Sequence, residues 1–181
     1  MQNARYLLHF KRRREGKTNY KKRLQLLQSK KTRLVIRNTN NQILTQIINY
    51  KETGDKTIVG VNSNELETFA WKHSKKNMPA AYLTGYLLAK KAKEHKVTHV
   101  IIDSGLQTMR YGTKIYAVIK GIIDGGIKID TEDKVFPSED KISGAQIDKY
   151  RKTKLSDDFK TTKTKITAYK PAIKKTIKTK K

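Results

Sequence analysis

The sequence predicts a mixed α+β domain, in which an antiparallel strand meander is followed by a helix, a strand and a helix packed on one sheet. Short apolar segments separated by Asn- and Gly-containing turns predict the meander, and apolar residues at three- and four-residue steps predict the helices. A third observation concerns charge. Lys and Arg crowd both ends of the 181-residue chain, which predicts a basic extended arm at each terminus.

Three predicted strands precede the first strong helix signal. Residues 34–36 are continuously apolar, residues 42–50 alternate loosely, and residues 57–61 are rich in β-branched side chains. An Asn-rich run at 38–41 and a Gly-Asp pair at 54–55 separate these segments, and both compositions favour turns. The order of strands and turns predicts an antiparallel meander.

Helices and one further strand follow the meander. Residues 62–72 have apolar side chains at helical spacing and predict a short helix. Asn77 and Pro79 are typical of a helix start, and apolar and small residues then recur at helical steps as far as Ala92. Residues 97–103 are apolar enough to predict a strand in the centre of the sheet.

The remaining segments are shorter. Residues 104–112 predict a loop, and residues 115–122 predict a helix that the Gly-Gly pair at 125–126 ends. Residues 130–141 are acidic and polar around a proline, which is typical of a loop. Residues 144–150 predict a last short helix.

Charge divides the chain into three segments. Residues 1–32 form a basic, Arg-rich arm, residues 33–150 a globular α/β domain, and residues 151–181 a basic tail rich in Lys and Thr. Nearly all of the net charge of +25 lies at the two ends. Because like charges repel each other, we expect both arms to stay extended until a polyanion neutralises them.

The two arms differ in chemistry. Seven of the nine arginines lie in residues 1–37, whereas the tail has one. Arginine pairs bidentately with phosphate and stacks on bases, while lysine is a hydrated point charge. We therefore expect the first arm to recognise a defined RNA shape. Three rings, those of Tyr6, Phe10 and Tyr20, would either stack on unpaired bases or act as hydrophobic anchors on the domain surface. The tail is expected either to bind phosphates without regard to sequence or to be a solvated tail that specificity does not need.

Composition excludes several classes of protein. The chain has no cysteine, which excludes a disulfide framework and a thiolate metal site. We expect neither a membrane span nor a signal peptide, since the apolar runs are short and the first twenty residues are charged. His95 and His99 do not predict a metal site, because the switch from helix to strand between them separates their side chains.

Two alternatives to a specific RNA-binding protein stay open. A generic basic protein that compacts nucleic acid would carry the same charge. The predicted element order also occurs in ribonuclease H-like nucleases, whose two-metal chemistry needs several converging carboxylates. The first predicted strand has arginines in place of an acid, and only Asp103 and Asp124 remain, so we do not expect an enzyme.

Several blocks of sequence, taken in order, resemble one protein family. The blocks are residues 12–24, 33–38, 77–85, 120–121, 124–126 and 136–140. The first begins Arg-Arg-Arg-Glu-Gly-Lys-Thr-Asn-Tyr, and the third reads Asn-Met-Pro-Ala-Ala-Tyr-Leu-Thr-Gly. They resemble the 5S-rRNA-binding large-subunit ribosomal protein L-eighteen family, in its archaeal and eukaryotic form. Matching blocks extend from about residue 5 to residue 150, so the resemblance does not depend on one motif.

The resemblance implies a non-enzymatic protein that holds 5S rRNA in the central protuberance and attaches it to the large-subunit (23S-type) rRNA. It implies a cytoplasmic location in the large ribosomal subunit, and a neighbouring 5S-binding ribosomal protein of the L-five family as a partner. It implies no membrane, no cofactor, no metal and no small-molecule substrate. The tail at 151–181 has no match in the resemblance, and its low-complexity composition alone predicts that it is disordered off the ribosome.

The same resemblance implies three sets of rRNA-contacting residues. They lie in the arm, on the first strand, and before the first long helix. The arm set is Arg12, Arg13, Arg14, Lys17, Tyr20, Lys21, Lys22 and Arg23. The strand set is Arg33 and Arg37, and the helix set is Lys75, Lys76 and Asn77. No catalytic residue is implied.

Overall fold

The computed structural model describes residues 8–169, and a four-stranded mixed sheet lies at its centre. Strands β1 (Arg33–Asn38), β2 (Ile43–Asn49) and β3 (Lys56–Asn62) form an antiparallel meander. Strand β4 (Ile101–Asp103) pairs with β1 in parallel, which gives the order β3-β2-β1-β4. The predicted α+β class and the predicted meander are confirmed.

The position predicted for β4 is wrong, because this strand lies at the edge of the sheet rather than in its centre. Only three of the seven residues predicted as strand pair with β1. The preceding residues are shielded in another way. The amide of Val100 donates to the carbonyl of Lys128, and the side chain of Val100 is buried in the core. An isolated parallel bridge between His99 and Lys128, together with the burial of Val100, therefore explains the apolar run although no second full strand pairs there.

Two long helices pack together on the sheet. Helix α3 (Met78–Glu94) begins as predicted, with the Asn77 side chain accepting the Ala80 amide at 2.8 Å. Helix α4 (Lys114–Asp124) ends at Gly125, also as predicted. The two helices approach closely, because a Cβ at Gly85 or Gly121 would collide with backbone atoms of the opposite helix. The predicted helix at 62–72 is a 3₁₀ helix at Ser63–Phe69.

The C-terminal segment forms part of the globular domain. A 3₁₀ turn (Asp133–Val135) and the start of helix α5 (Glu139–Ser143) occupy half of the predicted loop at 130–141, so the loop prediction is wrong for these residues. Helix α6 (Ala145–Arg151) lies where the last short helix was predicted.

Helix α7 (Leu155–Ala168) then packs on the domain and buries Leu155, Phe159 and Ile166. The prediction that the chain leaves the globular domain at residue 150 is therefore wrong for these helical residues. The apolar residues recur at helical spacing, but they are outnumbered by Lys and Thr. The rest of the predicted tail, residues 170–181, lies outside the described residues.

The N-terminal arm contains two helices rather than extended chain over its described part. Helix α1 (Lys11–Arg14) is a single turn, and helix α2 (Tyr20–Gln28) is capped by Asn19, whose side chain accepts the Lys22 amide at 3.1 Å. Tyr6 lies outside the described residues. Over residues 8–169, none of the helices combines the length and the apolar character that crossing a membrane requires.

Candidate nucleic-acid interface

Helix α1 presents consecutive arginines to solvent. Arg12, Arg13 and Arg14 are all exposed, and the helix has no buried residue. The Arg12 Nε donates to the Thr18 hydroxyl at 3.0 Å, which folds the turn after α1 back on the helix. Within residues 8–169, neither Arg13 nor Arg14 has a carboxylate within ion-pair distance. Both guanidinium groups are therefore available to pair with an anion such as a phosphate.

The turn and helix α2 carry the remaining predicted arm residues. Lys17 is exposed and lies 2.9 Å from a carboxylate oxygen of Glu15, and Lys21 points to solvent. The ring of Tyr20 packs against that of Phe10, with centroids 5.4 Å apart. This contact joins the segment before α1 to the start of α2, so these two rings stabilise the arm itself.

Lys22 and Arg23 fasten α2 to the sheet. The Lys22 Nζ donates to the Ser104 hydroxyl at 3.0 Å and to the Gly105 carbonyl at 3.3 Å, both in the loop after β4. An Nη2 atom of Arg23 lies 2.9 Å from a carboxylate oxygen of Asp55, in the turn between β2 and β3. These contacts hold the arm at two separate points of the sheet.

Arg33 lies inside the protein and cannot reach RNA, so its predicted role in the RNA-contacting surface is wrong. Its side chain is only 2% exposed. One Nη atom lies 2.8 Å from Asp55 and the other 3.2 Å from Asp103. Sequence pattern alone did not indicate burial, because the two acids that neutralise this arginine are distant along the chain.

Arg37 occupies an intermediate position. Its side chain is 39% exposed, while one Nη atom donates to the Asp103 carbonyl at 2.7 Å and the other lies 3.2 Å from the Asp103 carboxylate. These contacts fix the guanidinium group and leave part of it facing solvent. Arg37 therefore remains a candidate for contact with RNA.

The neighbouring arginines favour the ionised form of Asp55. Burial acts to raise the pKa of Asp55, but hydrogen bonds and charges from Arg33 and Arg23 outweigh it, so that the pKa lies below the ordinary aspartate value. Because the folded-state pKa is lowered, Asp55 adds stability above the unfolded-state value, and this stability is lost as the pH falls through the lowered pKa.

A polar groove of about 150 Å³ lies between the arm and the ends of β1 and β4. Five of the predicted residues line it: Arg12, Lys17, Lys22, Arg23 and Arg37. The structure thus brings together basic groups from α1, the turn after it, α2 and β1. We refer to this groove, together with the exposed Arg13, Arg14 and Lys21, as the arm face.

The three residues predicted before the long helix lie apart from the groove and have different surroundings. Lys75 forms an ion pair with Glu67, and the Asn77 side chain is occupied by capping α3. Lys76 has no carboxylate within ion-pair distance in the described part of the chain, and it lines a cleft together with Lys114 and Arg151. The sequence did not indicate that Lys114 and Arg151 belong to a binding surface, because they lie on different elements and only the fold brings them close to Lys76.

The carboxylates that would serve a nuclease are engaged in structural contacts. Asp103 is neutralised by Arg33 and Arg37. Asp124 accepts a hydrogen bond from the Tyr82 hydroxyl at 2.7 Å and lies 3.7 Å from Lys120. Two-metal hydrolysis requires uncompensated carboxylates that converge on the ions, and these two residues do not supply them.

Comparison with known proteins identifies the family. The family model described as "Ribosomal large subunit proteins 60S L5, and 50S L18" matches residues 4–98, more than half of the chain. The large ribosomal subunit protein uL18 of Methanosphaera stadtmanae is 46% identical over 88% of this chain and 82% of its own length. The uL18 protein of Korarchaeum cryptofilum is 47% identical over 80% of this chain and 74% of its own.

A third relative agrees with these two. The uL18 protein of Methanoregula boonei is 42% identical over 81% of this chain and 84% of its own length. Identity at this level over most of both chains confirms the predicted family and the prediction that the protein is not an enzyme. The chain belongs to the family of large ribosomal subunit proteins that comprises 60S L5 and 50S L18, whose members are structural proteins.

Proposed function

We propose that this protein binds 5S rRNA through its arm face and attaches it to the large-subunit (23S-type) rRNA in the central protuberance. As a member of its family, the protein is a structural constituent of the large subunit of the cytoplasmic ribosome, with rRNA as its partner. The observation that carries the more specific proposal is the convergence of five basic side chains on one groove beside three exposed cationic ones.

The chemistry of the arm face suits a folded RNA. Phosphate contacts supply most of the affinity through the release of counterions, and guanidinium groups add directional pairing. Lys22, Arg23 and Arg37 are held by hydrogen bonds and ion pairs to the sheet. A surface whose charges are already positioned has less conformational entropy to lose when it binds, so it favours an RNA whose phosphates match its shape.

The basic residues have different roles because some of their side chains are exposed and others are buried. Arg12, Arg13 and Arg14 project to solvent and would contact phosphates directly, as would Lys17 and Lys21. The buried Arg33 and the partly buried Lys22 instead support the surface from below. The resemblance to the L-eighteen family further supports contact with a neighbouring 5S-binding ribosomal protein of the L-five family, and we include that partner in the proposal.

Competition binding at about physiological salt tests the proposal. The purified full-length protein is mixed with labelled 5S rRNA and an excess of unlabelled tRNA. We expect the 5S complex to survive the competitor, because non-specific binding through phosphates alone weakens steeply with salt whereas a matched surface keeps its additional contacts. If tRNA and duplex DNA displace 5S rRNA in proportion to their concentration, the protein is a generic nucleic-acid binder and the proposal fails.

A further inference from the structure

A cationic cleft lies away from the arm face, where the starts of α3 and α4 meet the end of α6. Lys76, Lys114 and Arg151 line it, and its volume is about 390 Å³. Neutral polar groups also line it, from Ser74, Asn77 and Thr153. Three separate segments of the chain therefore contribute one cation each to the same concave surface.

The positive charge in this cleft is not compensated by the protein. Over residues 8–169, none of the three cations has a carboxylate within ion-pair distance. The neighbouring acids are occupied elsewhere. Asp158 pairs with His73 at 2.8 Å, and Asp148 accepts the Thr153 hydroxyl and the amides that begin α7, each at 2.8 Å.

Desolvation makes this arrangement costly without an anion. Lys76 and Lys114 are both half-buried. Burial, followed by the charge of Lys76, lowers the pKa of Lys114 below the ordinary lysine value. Keeping the Lys114 ammonium group charged at neutral pH therefore costs free energy in the isolated protein, and a bound anion would recover it.

Helix geometry adds to the positive potential. Helices α3 and α4, of 17 and 11 residues, both begin at the cleft, where the peptide dipoles place partial positive charge. The first residue of α4 is Lys114 itself, and Thr113 before it makes no side-chain capping bond to the helix. The amides of the first turn of α4 thus have no cap from this side chain.

A shallow groove adjoins the cleft and reaches residues that are chain neighbours of the arm-face lining. Asn38, Gln107, Thr108 and Lys114 line it, so Lys114 belongs to both the groove and the cleft. Asn38 follows Arg37 in the chain, and Gln107 follows Leu106, which both line the arm-face groove. Met78 and Ile115 also line this groove, so it offers both polar and apolar groups between Lys114 and the neighbours of the arm face. An extended RNA strand, with its repeating phosphates and its bases, fits such a surface better than an isolated small anion does.

We propose that the cleft formed by Lys76, Lys114 and Arg151 binds a backbone phosphate of rRNA and is a second RNA contact on this protein. This inference rests on the proposed RNA-binding function and adds to it residues of α4 and α6 that neither the arm nor the sequence blocks contain. The cleft would recognise a phosphate group, which belongs either to an RNA strand or to free inorganic phosphate. The experiment below separates these sources.

The salt dependence of rRNA binding tests the RNA source. A K76Q/K114Q variant is compared with a matched K93Q/K128Q variant, whose lysines are exposed and lie outside the cleft. Each lost phosphate contact lowers the slope of log K against log salt by about 0.7–0.9. We expect the cleft variant, which loses one phosphate contact, to lose about 0.7–0.9 from the slope, and its affinity at about 0.15 M salt to fall roughly 4- to 6-fold. The control variant should match the wild type.

Amide NMR of the full-length protein titrated with inorganic phosphate supplies the second readout. We expect the amides of Met78 and Lys114 to shift in the wild type and not in K76Q/K114Q. If these shifts occur while the rRNA salt slope is the same in all three proteins, the cleft binds free phosphate and the RNA contact is refuted. If phosphate produces no shift and the slope is unchanged, the cleft is not a phosphate site.

The preference of K76Q/K114Q for 5S rRNA over tRNA separates the test of the cleft from the test of the proposed function. We expect K76Q/K114Q to prefer 5S rRNA over tRNA as strongly as the wild type, because the arm face is intact. If the wild-type protein itself shows no preference for 5S rRNA over tRNA, the proposed function is refuted and the proposal about the cleft is not. Equal thermal unfolding of the three proteins by circular dichroism shows that the changes in binding do not come from misfolding.

Discussion

We expect the R12Q/R13Q/R14Q variant to bind 5S rRNA about 50- to 150-fold more weakly than the wild type at about 0.15 M salt. The three guanidinium groups are exposed, and among residues 8–169 the hydrogen bond from Arg12 to Thr18 is their one side-chain hydrogen bond or ion pair. Each phosphate contact contributes about 0.7–0.9 to the slope of log K against log salt, so three contacts account for the loss. Titration of labelled 5S rRNA at several salt concentrations measures both quantities.

The matched control for this variant is K93Q/K96Q/K128Q, which removes the same charge from exposed lysines away from the arm face. If affinity depends only on net charge, the two triple variants will bind 5S rRNA equally weakly, and the arm face has no special role. A loss confined to the arginine variant supports the arm face. Preference over tRNA should also fall only in the arginine variant.

Replacing Arg33 with alanine is expected to lower the free energy of unfolding by about 3–5 kcal/mol, the usual cost of removing one partner from a buried ion pair. The Arg33 guanidinium lies between Asp55 and Asp103, which come from opposite sides of β1. Its loss leaves Asp103 with Arg37 and Asp55 with Arg23, both of which are much more exposed. Urea unfolding, with the midpoint and the m-value fitted together, measures the effect.

Arg23 provides the comparison, because it pairs with the same carboxylate oxygen of Asp55 at nearly the same distance, 2.9 against 2.8 Å. Its side chain is 44% exposed, so solvent screens the pair, and we expect Arg23→Ala to cost at most about 1 kcal/mol. Equal costs for the two substitutions would show that burial of Arg33 does not govern the stability of the network.

The same network explains which site residues could be predicted from sequence. Basic residues of the arm are visible as a charge pattern, and the structure gathers Arg12, Lys17 and Arg37 around one groove. Arg33 belongs to the same charge pattern, but its role is to pair with two carboxylates inside the protein rather than to bind RNA. Its burial depends on two acids from other strands and turns, whose proximity only the folded sheet establishes. Sequence periodicity along one strand does not contain that information.

Fold prediction succeeded where local signals were strong. The start of α3 follows from Asn77 and Pro79, and the end of α4 follows from Gly125. Helix α7 was missed because Lys and Thr dominate its composition, although Leu155, Phe159 and Ile166 recur at helical spacing and are buried. Tertiary burial of that narrow apolar stripe stabilises a helix that composition alone does not predict.

Site-directed cross-linking would locate 5S rRNA on the surface of the protein. The chain contains no cysteine, so Arg13→Cys and Lys128→Cys each create one attachment point for a photoactivated cross-linker. Each labelled protein is assembled into large subunits, and the cross-linked RNA is sequenced. We predict that position 13, on the arm face, cross-links to 5S rRNA and that position 128 does not. Cross-links to 5S rRNA from position 128 and none from position 13 would contradict the account.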